Sequence, residues 1–249
     1  MHRLLTRTET IASGRAELSG EARRHLRVLR LREGECVELF DGAGAARTYR
    51  FASGELVPSG DMRFRPRPSV GMALFACVTK GSRWDWTVEK ATELGATRIV
   101  PVISERTIVR IPQGERPAKR ERWMRIAEDA ARQSDAAWLP EVSQAVDFGE
   151  ALALARETVC FAGALTSPPP EPLALAVGRH FESRSPDDAR DISVFVGPEG
   201  DFTPDELASL LEFATPTSFG DSVLRAETAA VFGLSVMSAV VQAAQRKKL

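Results

Sequence analysis

From residue 70 onward the chain alternates between short apolar runs and segments of helical period, and this rhythm constrains the fold more than any other feature. Residues 70–79 form a nearly continuous apolar run, as in a strand buried on both faces of a parallel sheet. Trp84, Val88, Ala91 and Leu94 then recur at helical spacing, and Gly95 supplies a left-handed terminator. Residues 98–103 read as a second strand. A helix is expected over 117–134, with Trp123, Ile126, Ala127, Ala130 and Ala131 on its inner face. Further strands are expected at 158–162, 192–196 and 217–219, and helices at 148–156, 204–213 and 227–246. The helix at 204 has a clear start, because Thr203-Pro-Asp-Glu206 has the form of a capping box with proline in the first turn. Strand–helix alternation of this kind predicts an α/β layered domain.

The first 67 residues follow another pattern. Arg23, Arg24, Arg27, Arg30 and Arg32 form the densest basic cluster, and spacings of three and four put Arg23, Arg27 and Arg30 on one side of a helix. Leu26 and Leu29 are left for the core, and Gly34 ends the segment. Residues 35–40 read as a strand closed by the turn signal Asp41-Gly42, with 48–52 as its partner. Two prolines and no periodicity mark 64–69 as a linker. The expected organisation is a compact all-β module over 1–67 followed by an α/β domain over 70–249.

Charge is distributed unevenly along the chain. The formal net charge is -1, yet residues 1–67 carry 13 basic and 9 acidic side chains, whereas 133–249 carry 8 and 17. The asymmetry predicts a polyanion-facing surface on the first half, with a solvated helix face as the alternative for the arginine cluster. Arg47, Arg50, Arg63, Arg65 and Arg67 add weight to phosphate binding. The amino-terminal residues lack an apolar stretch of secretory length. The apolar segment 229–244 is interrupted by Gly233, Ser235, Ser238 and Gln242, so it reads as a buried helix rather than a membrane span. Cys36, Cys77 and Cys160 are odd in number and far apart, which fits a reducing, cytoplasmic setting. His2, His25 and His180 lie near no cysteine, so no metal site is expected.

Three segments are placed to carry chemistry. Gly197-Pro-Glu-Gly200 directly follows an apolar strand, and ligands of open α/β sheets collect beyond the carboxyl ends of strands. Phosphate-loop and dinucleotide fingerprints are absent, and a purely structural turn is the alternative. Residues 219–229, Phe219-Gly-Asp-Ser-Val-Leu-Arg-Ala-Glu-Thr-Ala229, repeat the arrangement of a strand ending at glycine, an irregular loop and a helix start. The two loops read as walls of one pocket. Within the second, Glu227 has a macrodipole reason to sit at a helix N-terminus and Thr228 is placed to cap, whereas Arg225 is not explained by capping. Lys80 and Arg83 follow the first strand and are suited to a phosphate. Trp84, Trp86 and Phe202 are candidate stacking platforms for a base, with burial in the core as the alternative for each.

These blocks resemble a known family. Gly197-Pro-Glu-Gly200, Leu224-Arg-Ala-Glu-Thr-Ala229 and Glu89-Lys-Ala-Thr-Glu-Leu-Gly95 look like the signature blocks of the bacterial 16S rRNA uridine-N3 methyltransferases, of the knotted SPOUT class. Val28-Leu-Arg30, Leu39-Phe-Asp-Gly42 and Ser104-Glu-Arg106 are similar to the remaining blocks, in the same order. The resemblance implies a small PUA-like β-barrel that binds RNA, followed by a trefoil-knotted α/β domain that binds S-adenosylmethionine. It implies a homodimer acting on 16S rRNA or the small ribosomal subunit, with no membrane and no metal. Carried over to this chain, cofactor binding falls to Ala162, Gly163 and Leu165, to Val196, Gly197, Pro198, Glu199 and Gly200, and to Phe219, Gly220, Val223, Leu224 and Thr228. Arg225 and Glu227 are implied to stand nearest the methyl group. RNA contacts are expected from Arg23, Arg24, Arg27, Arg30, Lys80, Arg83 and Arg106. The chain departs from the family pattern at Ser222 and at Asp135-Ala-Ala137, where arginines are usual.

Uracil N3 is protonated at neutral pH, so methylation requires a base for that proton or a cation for the developing carbonyl charge. Arg225 is expected to stabilise that charge and Glu227 to orient it or to take the proton. The sulfonium carries its own leaving-group activation, so the reaction needs no metal. Three other readings stand beside this one: a knotted enzyme acting on a ribose or a guanine, an RNA-binding assembly protein with weakened catalysis, and a flavodoxin-like nucleotide binder.

Overall fold

The computed structural model describes residues 1–246 apart from 15, 17, 19 and 183–189, and divides the chain into two units. The first unit comprises Met1–Arg67 and Glu128–Leu139; the second comprises Pro68–Ala127 and Pro140–Leu249. Residues 128–139 therefore count with the first unit, whereas the sequence reading placed them in the second.

In the first unit, strands β1 (His2–Leu5), β2 (Cys36–Phe40), β3 (Ala45–Ala52) and β4 (Glu55–Pro58) lie side by side in that order, and β5 (Arg63–Phe64) also pairs with β3. Helices α1 (Thr8–Ser13) and α2 (Gly20–Leu29) connect β1 to β2, and the core gathers Leu4, Ile11, Val37, Leu39, Tyr49 and Leu56. Arg23, Arg24 and Arg27 are exposed on α2. Arg30 is not part of that face, because its φ of 46° is left-handed and the helix has already ended at Leu29. Several other basic residues are engaged internally. Arg3 donates to Glu38 at 2.8 Å, Arg63 pairs with the same buried carboxylate, Arg47 donates to the Gly60 carbonyl, and Arg65 donates to Asp135 at 2.8 Å. The Arg65 hydrogen bond holds the Asp135 carboxyl below its usual range, with the nearby Arg3 acting in the same direction. Asp135 thus ties 128–139 to the unit's own sheet.

The second unit is built on a parallel sheet with strand order β12 (Thr215–Thr217), β10 (Val159–Gly163), β11 (Ile192–Val196), β6 (Met72–Cys77), β7 (Arg98–Ile103), β8 (Glu141–Val142). Strand β9 (Val146–Asp147) pairs with β7 beyond β8, and all these pairings are parallel. Alternate strand residues feed two cores. Leu74, Ile99, Phe161 and Val194 pack with α3 (Ser82–Glu93), α4 (Arg116–Gln133), α6 (Leu173–Glu182) and α8 (Ala226–Arg246). Phe75, Val100, Cys160 and Phe195 pack with α5 (Phe148–Ala155) and α7 (Pro204–Leu211). Burial on both faces is why the strands are nearly all apolar. Strand β12 starts two residues earlier than expected, and α6 has no counterpart in the sequence reading.

By length and composition α8 could cross a membrane, contrary to the expectation drawn from its polar interruptions. Its apolar face is accounted for by the core: Gly233, Leu234, Met237 and Val241 are buried, and the helix packs against α3, α6, β6 and β11.

Cys77 and Cys160 are buried, and desolvation pushes their thiols up to about 11 and about 12, so neither forms appreciable thiolate at neutral pH. Cys36 is exposed. Titration of the native protein with a thiol-specific chromogenic disulfide at pH 7.5 is therefore expected to give one fast equivalent, rising to three in denaturant. Two or more fast equivalents would contradict the buried placement.

Candidate active site

Because the strands run parallel, their carboxyl ends share one edge of the sheet. The order β12-β10-β11-β6 sets the segments 218–225, 164–172, 197–203 and 78–81 next to one another there. Each loop starts where a packed strand stops, so the rigid sheet positions them.

The first three loops enclose a cleft. It is lined by Gly163, Ala164 and Leu165, by Val196, Gly197, Pro198, Glu199 and Asp201, and by Ser218, Phe219, Gly220, Ser222, Val223, Leu224, Ala226 and Ala229. Ten residues expected at the cofactor site are brought together here: Gly163, Leu165, Val196, Gly197, Pro198, Glu199, Phe219, Gly220, Val223 and Leu224. Glycine is required at two of them. A Cβ on Gly163 would stand 2.9 Å from the Phe219 ring, and Gly220 has a φ of 114° that other residues rarely adopt.

The other expected cofactor residues lie elsewhere. Ala162 is fully buried in β10 and packs in the core shared with α5 and α7. Gly200 is outside the lining, and its carbonyl accepts a hydrogen bond from Arg106. Thr228 lines a neighbouring groove instead. Ala164, Ser222 and Ala226 also line the cleft, inside the expected loops 162–165 and 219–228, whereas the sequence reading missed Asp201, Ser218 and Ala229, each lying next to a residue that was named.

The loop after β11 is held from below and behind. Phe202 is buried against Phe195 and Phe148, with ring centroids 5.8 and 5.5 Å away. Arg106 donates to the carbonyls of Gly200 and Phe202 at 3.0 and 3.2 Å, so its guanidinium braces this loop. The capping box at Thr203 is formed in both directions, and Glu206 also accepts from the amide of Glu105.

A second groove shares a wall with the cleft. Its lining is Ser82, Arg83, Asp85, Trp86, Glu89, Glu227 and Thr228. Arg83 Nη1 lies 3.3 Å from Glu199 Oε1 on the cleft side and 4.0 Å from Glu227 Oε1 on the groove side. Glu227 Oε2 is buried with no hydrogen-bond partner among the described residues. A carboxylate oxygen left in this state costs on the order of 1–3 kcal/mol or more, although Glu227 also lies in the first turn of α8, where the helix dipole favours an acid. Arg225 forms no ion pair with it among the described residues. Its side chain is exposed and lines neither cavity, and its carbonyl accepts the Ala229 amide at 2.8 Å to open α8. The sequence reading paired Arg225 with Glu227, and in the structure the guanidinium 4.0 Å from Glu227 is that of Arg83; Lys80 is exposed in the adjoining loop. Among the stacking candidates, Trp84 and Phe202 are core residues and Trp86 is 40% exposed.

The cleft suits a ligand with a flat apolar body and polar edges. Leu165 and Val223 are 64% and 77% exposed at its lining, and Val196, Leu224 and Ala229 extend the apolar surface. The backbone amides of Leu165 and Glu199 donate to no group among the described residues, leaving donors open. No cluster of His, Cys, Asp and Glu able to hold a metal occurs among the described residues.

Comparison with known proteins gives a consistent pattern. Residues 66–238 match the family model of the RNA methyltransferase domain, and 18–55 match that of the RNA methyltransferase PUA domain. A ribosomal RNA small subunit methyltransferase E of Synechocystis is 31% identical over 256 residues, spanning 97% of this chain and 78% of that protein. A crystal structure of ribosomal RNA small subunit methyltransferase E from Neisseria gonorrhoeae, bound to S-adenosylmethionine, superposes with TM-score 0.74 at 27% identity, covering 96% of this chain and 98% of that one. A methyltransferase of Legionella pneumophila in complex with the same cofactor gives 0.70 at 27%, with coverage of 89% and 90%.

Proposed function

The chain belongs to the RNA methyltransferase family, with a small PUA-like domain at its N-terminus, and from that premise we propose that it methylates N3 of a uridine in 16S ribosomal RNA using S-adenosylmethionine. The observation that supports this reading is the Glu227 carboxylate, which lines the groove beside the cleft with its side chain 10% exposed and Arg83 4.0 Å from its Oε1.

The residues of the cleft fit the cofactor. Leu165, Val196, Leu224 and Ala229 offer apolar surface to an adenine ring, and the open amides of Leu165 and Glu199 offer donors to polar edges. When bound, S-adenosylmethionine supplies a methyl group on a cationic sulfur that leaves as a neutral thioether. The protein's part is to make the uracil nitrogen nucleophilic. Glu227 accepts the N3 proton as the N3–H bond breaks, so that the electron pair stays on the imide. Arg83 places positive charge where negative charge builds on the neighbouring carbonyl oxygen, and its pairing with Glu199 fixes that position. Proton removal of this kind contributes about 10²–10⁴-fold.

The exposed arginines of α2, Arg23, Arg24 and Arg27, are assigned to the RNA backbone, whose charge they match. Lys80 extends that role beside the site. The remaining features of the reading are a trefoil knot, a homodimer and a cytoplasmic location.

The test is methylation of small ribosomal subunits from a strain lacking the activity, with labelled cofactor and mass spectrometry of the nucleosides. N3-methyluridine is the expected product. A methyl group on a ribose or a guanine, or no transfer, would overturn the assignment.

A further inference from the structure

We propose that the groove beside Glu227 is the seat of the target base and that it selects uracil by its imide edge. This rests on the uridine-N3 reading and adds the binding determinants.

Uracil presents an acceptor, a donor and an acceptor in sequence: one carbonyl oxygen, the N3–H and the other carbonyl oxygen. The complement is an acceptor flanked by two donors. The lining of the groove includes residues able to supply it. Glu227 is acceptor-only when ionised, and it lines the groove with its side chain 10% exposed. Arg83 carries five N–H donors, of which the structure commits one nitrogen to Glu199 at 3.3 Å. Thr228 and Ser82 contribute exposed hydroxyls to the same lining. A cytosine in this position would turn its N3 lone pair toward the carboxylate, with no proton between them.

Trp86 supplies the remaining element. On α3, Trp84 is buried against Trp123 with ring centroids 5.8 Å apart, so the helix already has its core anchor. Trp86 instead lines the groove while 40% exposed. An aromatic face at that place is suited to stack an extruded base. The groove also adjoins the cleft at the level of single residues: Ala226 lines the cleft, and Glu227 and Thr228 line the groove.

The experiment is steady-state kinetics of the full chain on small subunits or an rRNA fragment, with calorimetry for S-adenosylmethionine and sedimentation for assembly state. Trp86→Ala is expected to raise KM for RNA by about 5- to 150-fold, the span of a lost base–aromatic stack, with cofactor affinity within twofold of wild type. Trp86→Phe is expected to restore most of the loss. Thr228→Val is expected to lower kcat/KM by about tenfold or more, because a donor to a carbonyl oxygen is lost. If wild type makes N3-methyluridine while both variants keep their RNA KM and kcat within twofold, the groove does not hold the base. The proposal also falls if Trp86→Ala changes the assembly state in step with activity, since the ring then serves a contact between copies. If wild type makes no N3-methyluridine, the underlying reading fails first and independently of these variants.

Discussion

Glu227→Gln is expected to reduce the rate of methyl transfer by about 10²–10⁴-fold with S-adenosylmethionine affinity within a few-fold of wild type. The amide keeps the shape of the side chain but cannot take the N3 proton. A stability measurement sharpens the test. One carboxylate oxygen is buried without a partner, and its nearest cation lies 4.0 Å from the other oxygen. The neutral amide relieves that cost, so thermal stability should stay level or rise. Catalytic groups held in such environments commonly trade stability for activity. Loss of activity accompanied by a lower melting temperature would mean that Glu227 is structural. Retention of near wild-type turnover would remove it from the reaction.

Phe195→Ala should produce the largest loss of stability. The ring is fully buried in β11, stacked on Phe75 at 5.5 Å and in edge contact with Phe148 and Phe202 at 5.9 and 5.8 Å. Truncating a buried phenylalanine costs about 3–5 kcal/mol. At roughly 2–4 °C per kcal/mol for a chain of this size, the melting temperature should fall by about 6–20 °C. The consequence reaches the site, because Phe202 leans on this ring from the loop that begins at Gly197. Cofactor affinity should therefore weaken even below the melting transition, which calorimetry at 20 °C would detect. A variant with an unchanged melting temperature would contradict the aromatic cluster.

The parts of the fold legible in the sequence were those where one local signal sufficed. Strands β7 and β11 were expected at their observed bounds because two-sided burial makes them nearly all apolar. The end of α3 was marked by Gly95, which has a φ of 82°, and the start of α7 by its capping box. What escaped depends on partners distant in the chain. Strand β1 is only four residues long and exists by pairing with β2, more than thirty positions away. Helix α6 buries Leu173, Ala176 and Val177 behind a proline-rich approach whose composition reads as loop. The cleft was legible through its glycine loops, since a parallel sheet fixes where such loops meet. The pairing of Arg83 with Glu227 was not, because it depends on α3 bringing residue 83 to a carboxylate 144 positions later. Nothing local in Trp84 and Trp86 sorted the buried ring from the exposed one.

Residues 128–139 have a consequence for any attempt to study the amino-terminal module alone. Trp138 donates to the Arg65 carbonyl and meets Phe64 edge-on, Leu139 covers Gly42, and the amides of Gly44 and Leu139 bond across the same seam. A fragment cut at the proline-rich stretch before residue 70 would leave that seam bare, with Arg3 and Arg65 deprived of Asp135. A faithful excised module has to carry the later peptide too, supplied in trans or spliced on through a short tether. Natural shuffling of this small domain between genes would meet the same demand.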